Sequence, residues 1–139
     1  MALEHTREER TARLLSEELH LFDLKATVQG LRSEPEYAAS GRNGTTLVKD
    51  SEVRVVLEVL REGADLAEHR APGPITVQVL EGEIQFSVGE TVQTLRPGEL
   101  LVLPTHRPHA VKAAWDSAFL LTIALPGPIG ASARSREVP

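Results

Sequence analysis

The 139-residue chain contains no cysteine, one tryptophan, one tyrosine and three phenylalanines. Without cysteine, neither a disulfide framework nor thiolate chemistry is open to it, which is compatible with a reducing compartment. An aromatic fraction of only 4% means that the core has to be built from Val, Leu and Ile. Basic residues are in deficit as well: 15 Lys and Arg against 20 Asp and Glu leave a net charge of −5. No basic stripe interleaved with aromatics occurs, and phosphate binding depends on Lys and Arg that release counterions, so a nucleic-acid partner is not expected. No stretch approaches the length of a membrane span, and the opening Met-Ala-Leu-Glu-His-Thr-Arg-Glu-Glu-Arg is charged where a secretory signal needs an apolar run. The expectation is a cytoplasmic protein with no membrane partner. A Gly-rich phosphate loop, an H-E-x-x-H helix and a G-x-S-x-G nucleophile elbow are also missing.

What is present suits one small globular domain: 41% hydrophobic and 25% charged residues are ordinary values for such a fold. Thr6-Arg-Glu-Glu9 has the form of a capping box, followed by Leu14, Leu15, Leu19 and Phe22 at roughly helical spacing. A helix is therefore expected over 7–19, too short to stand alone in water. Residues 21–40 are the least legible, with Leu21 to Leu24 readable as an edge strand. Asn43-Gly44 reads as a two-residue hairpin turn, with a strand starting at Thr45. Val53 to Arg61 reads as a strand with one fully apolar set, Val53, Val55, Leu57 and Val59, and one mixed set, Arg54, Val56, Glu58 and Leu60. From Ile75 onward six short strand signals, ending at Ser117 to Ala124, alternate with turn pairs such as Glu81-Gly82, Gly89-Glu90 and Pro97-Gly98. Short strands at even intervals without intervening helical periodicity predict an all-β sandwich or barrel. The expected division is a helical extension over 1–20, a single β-barrel domain over 21–125 and a C-terminal tail over 126–139, with no internal repeat.

Two stretches carry histidines at suggestive spacing. Gly63, His69 and Gly82 frame the first; Gly98, Pro104, His106 and His109 frame the second. Together they resemble the two motifs of the cupin superfamily. The resemblance implies an antiparallel, jelly-roll-like double-stranded β-helix, and a metal bound inside by three His and one Glu. Here Ala71 stands where the family has its second His, Ile75 where it has the Glu, His106 at a Gly position and Ala113 at an Asn position.

With those replacements, the resemblance puts His69 and His109 inside a cage whose lining includes Ile75, Val77 and Val79. A mostly apolar pocket with a few convergent polar atoms is the profile of a small-molecule site, and a neutral imidazole can donate or accept a hydrogen bond. Ligand binding is therefore assigned to His69, Ile75, Val77 and His109. Two readings stand. In one, the barrel binds a small organic molecule, with or without a divalent metal. In the other, it is a metal-dependent enzyme of the dioxygenase or isomerase type, in which His69, His109 and a third ligand such as His106 hold Zn, Ni, Mn or Fe. A homodimer is expected, both from the resemblance and because the two-sided strand at 53–61 and the helical edge call for more cover than one small barrel offers.

Overall fold

A computed structural model describes residues 19–104 and 107–125. Within them lie two helices, α1 (Leu24–Arg32) and α2 (Pro35–Ser40). They are followed by strands β1 (Arg42–Lys49), β2 (Val53–Leu60), β3 (Asp65–His69), β4 (Ile75–Glu81), β5 (Ile84–Val88), β6 (Thr91–Leu95), β7 (Leu100–Leu103), β8 (His109–Ala113) and β9 (Ser117–Ala124). The strands form a five-stranded sheet, β1-β2-β9-β4-β7, and a four-stranded sheet, β3-β8-β5-β6. All pairings are antiparallel. The helix expected over 7–19 lies, up to residue 18, outside the described residues, as do His106 and the tail after Leu125. No helix of the described residues is long and apolar enough to cross a membrane.

Residues 21–40 differ from the sequence reading. Leu21 to Leu24 is not a strand; Asp23 is the N-cap of α1, its Oδ1 accepting a hydrogen bond from the Ala26 N–H at 3.1 Å. Pro35 opens α2, where its missing N–H costs nothing, and Gly41 ends it at φ 75°, donating to the Tyr37 carbonyl at 2.8 Å. Nor is Asn43-Gly44 a hairpin turn: both residues lie inside β1, paired with Val59 and Glu58. Tertiary contacts override the turn preference. The buried Asn43 side chain donates to the Leu31 carbonyl at 3.0 Å and to Glu34 Oε1 at 2.9 Å, tying the end of α1 to the sheet.

The faces of β2 sort two separate cores. Val55, Leu57 and Val59 look outward and pack with Val28 and Leu31 of α1 and with Leu47 and Ala118, so helix α1 of the same chain covers this face. Arg32 adds an ion pair to Glu81 on β4 at 2.8 Å. The opposite, mixed face of β2 looks into the space between the sheets. There Leu60 joins Ile75, Val77, Val79, Ile84, Phe86, Val111 and Phe119, each buried side chain contributing about 1.5–3 kcal/mol by leaving water. Gly82 shows how closely the sheets are joined at one end: at φ 82°, it has the Asp116 carbonyl and Ser117 Oγ where a Cβ would go. Ser117 completes that joint, receiving the Glu83 N–H and donating to backbone carbonyls.

Candidate functional site

His69 ends β3 and His109 begins β8, and the two are paired across that ladder. The register between them is irregular. Leu66 faces Val111 and His69 faces His109, so three steps on β3 answer two on β8. A regular strand would send residues three apart to opposite faces; the bulge restores His69 to the side of Leu66. The imidazole centroids stand 4.5 Å apart with the rings inclined at 62°.

Each ring is aimed by its own backbone. The Nδ1 of His69 lies 2.9 Å from the Ala67 carbonyl oxygen, and that of His109 lies 3.1 Å from the Arg107 carbonyl oxygen. A carbonyl only accepts, so both Nδ1 atoms carry the proton and both Nε2 lone pairs remain for a ligand whenever the rings are neutral. His109 is 2% exposed and stacks on Phe86 with centroids 5.2 Å apart. Burial pushes its pKa below the ordinary histidine value, the nearby His69 adds to this, and the Arg107 carbonyl opposes it.

The rings border a cavity of about 210 Å³ walled by Leu66, Val77, Phe86, Val111, Phe119 and Leu121, with Glu58 at its edge. Of the residues expected to bind a ligand, His69, Val77 and His109 line this cavity. Ile75 does not; it is buried in the core opposite Ile123 and Leu103. Glu58, whose facing could not be read from β2 alone, is turned inward because its ladder partner on β9 is the inward-facing Phe119. Phe86, Phe119 and Leu66 escaped sequence reading because aliphatic alternation marks a buried face without saying which part of it stays unfilled.

Among the described residues the donor set falls short of a resident catalytic metal centre. Imidazoles that donate Nδ1–H to a carbonyl are oriented as metal ligands are, yet two of them fall short of the three protein ligands such centres use. Among the described residues no group of three His, Cys, Asp or Glu side chains is placed to hold an ion. Ala71 and Ile75, at the positions where the resemblance called for ligands, are buried apolar residues, and Glu68 is exposed on β3 away from the cavity.

A family model described as a cupin domain matches residues 56–124, from within β2 to the end of β9, and includes both histidines. The chain carries a small cupin domain. Solved structures of similar fold include a conserved protein of unknown function from Streptococcus pyogenes, 23% identical, covering 81% of this chain and 92% of that one with a TM-score of 0.65. An RmlC-like cupin from Desulfovibrio desulfuricans is 27% identical, over 66% of this chain and 90% of the other, at a TM-score of 0.58. Salicylate 1,2-dioxygenase from Pseudoaminobacter salicylatoxidans shares 16% identity over 84% of this chain and 36% of the enzyme, at a TM-score of 0.65, a likeness of fold alone. None of the curated proteins compared matches the chain.

Proposed function

We propose that this cupin domain binds a small organic molecule between His69 and His109. One observation carries the reading: two imidazoles, each with Nδ1 tied to its own backbone, share a cavity that is aliphatic and aromatic apart from Glu58 at its edge, with Nε2 left for a ligand. Apolar walls supply affinity and the few polar atoms fix orientation. A heteronuclear NMR titration with 2-phenylethanol, a probe sized for such a cavity, should move the resonances of His69, Val77, Phe86 and His109 together. Shifts confined to the outer surface, or none at millimolar probe, would sink the proposal.

The aimed imidazoles also motivate the second reading, a metal-dependent enzyme drawing a third ligand from outside the described residues. Dialysis against Zn, Ni, Mn and Fe followed by metal analysis separates the two. Near-stoichiometric retention that disappears in His109→Ala supports an enzyme; weak retention leaves the organic ligand as the resident of the site.

A further inference from the structure

The cavity beside the histidines is not closed. A second, of about 380 Å³, shares Glu58 and Leu66 with it and runs along the inner face and rim of β1, past Arg42, Gly44 and Thr46. Glu58 stands where the two meet, and β1 has made room for it there. Gly44 is its cross-strand partner, and a Cβ at position 44 would run into the Glu58 carboxylate. Any other residue at 44 would have to displace that group.

The polar atoms around the junction are uneven in kind. In their neutral form both histidines present an acceptor, because each Nδ1–H is spent on a backbone carbonyl. A carboxylate accepts only, and its roughly four lone-pair sites let it receive a ligand's proton while keeping the contact it already has. Among the described residues Arg42 is the sole Arg or Lys lining either cavity, and its guanidinium donates to the Asp65 carbonyl at 3.0 Å, bridging the two sheets at the rim.

We infer that Glu58 sets the specificity of the pocket, which takes an elongated molecule held between the histidines with a hydrogen-bond donor, an alcohol or a protonated amine, at the junction with the second cavity. The inference rests on the proposed small-molecule site and narrows its ligand class. A carboxylate on the ligand at that junction would set a second negative charge against Glu58 and bring it no proton to accept.

Three probes of one skeleton test this: 2-phenylethanol, 2-phenylethylamine and phenylacetate, titrated by NMR into the full chain. The alcohol and the amine should bind at least about tenfold more tightly than the acid, a factor worth about 1.4 kcal/mol. Glu58→Gln, close in shape but neutral and able to donate, should bring amine and acid within about threefold of each other, with thermal melting checking that it folds. Gly44→Ala, which pushes the carboxylate aside, should shrink the amine's advantage in the same sense. Equal binding of all three by the native protein, or a preference for phenylacetate, overturns the inference and leaves the site standing. A preference that survives Glu58→Gln unchanged overturns the role of Glu58. If no probe moves the His69 and His109 resonances, the site and the inference fall together.

Discussion

Replacing Asn43 by alanine asks whether this residue fastens a helix to a sheet or sits in a solvated turn. Its side chain is 4% exposed, and its contacts include Nδ2 to the Leu31 carbonyl at 3.0 Å, Nδ2 to Glu34 Oε1 at 2.9 Å, and Oδ1 receiving the Gly44 N–H at 2.9 Å. Leu31 is 2% exposed, so truncation leaves its carbonyl, near the C-terminal end of α1, with only the Glu34 N–H at 3.3 Å, and Glu34 and the Gly44 N–H each lose a bond as well. Each hydrogen bond lost costs about 0.5–1.5 kcal/mol net. With a void added where the amide was, the expected loss is about 3 kcal/mol. Urea unfolding at neutral pH, with the slope unchanged, should show it as a lower midpoint. Asn43→Asp should be worse, because a second acceptor would then meet the Leu31 carbonyl and Glu34, and acidification should recover part of the loss. In an exposed turn either change would stay within about 0.5 kcal/mol. A result of that size would refute the buried clasp.

Gly82→Ala should cost more than the ordinary conformational penalty, about 2–4 kcal/mol, since the new Cβ meets the backbone of the 116–117 turn as well as needing a positive φ; urea midpoints check it. His109 gives a pH signature. Its folded pKa is depressed by burial, so as pH falls through about 6.5 the unfolded chain takes up a proton that the folded one resists. Stability is then lost until the folded value is passed. Urea titrations from pH 8 to 5 should show this limb in the native protein and a shallower one in His109→Gln; parallel curves would refute it. The homodimer is kept as a proposal with a new surface: β7 is an edge strand whose Leu100 and Val102 are 63% and 58% exposed. Sedimentation should then show a dimer that Val102→Lys dissociates, whereas a well-folded monomer at micromolar concentration overturns it.

The strands from Ile75 onward were legible because each is short, aliphatic at alternate positions and bounded by a turn pair, so local chemistry and tertiary role agree. Helices α1 and α2 were not, although their punctuation is plain in retrospect: Asp23 before the first, Pro35 opening the second, Gly41 closing it. The Gln29-Gly30 pair interrupts an already sparse apolar stripe, and only Val28 and Leu31 are fully buried, too few to declare a period. Asn43-Gly44 misled for the opposite reason. Both residues suit a turn, but one was needed for its amide and the other for its missing Cβ, requirements set by α1 and by Glu58.

Composition and alternation alone determined an aliphatic, all-β domain with two histidines in separate stretches, because burial of Val, Leu and Ile dictates which faces turn from water whatever the partner strands are. Which of those faces holds a cavity was decided only in three dimensions. The apolar set of β2 went to the helices, and the mixed set, with Glu58, faced the interior. The extra residue on β3 swung His69 round to meet His109, and Ile75 was absorbed into the core while Val77 beside it was not. Such outcomes depend on register and on bulges between segments far apart in the chain, where a shift of one residue reverses every side chain, and no local pattern encodes that.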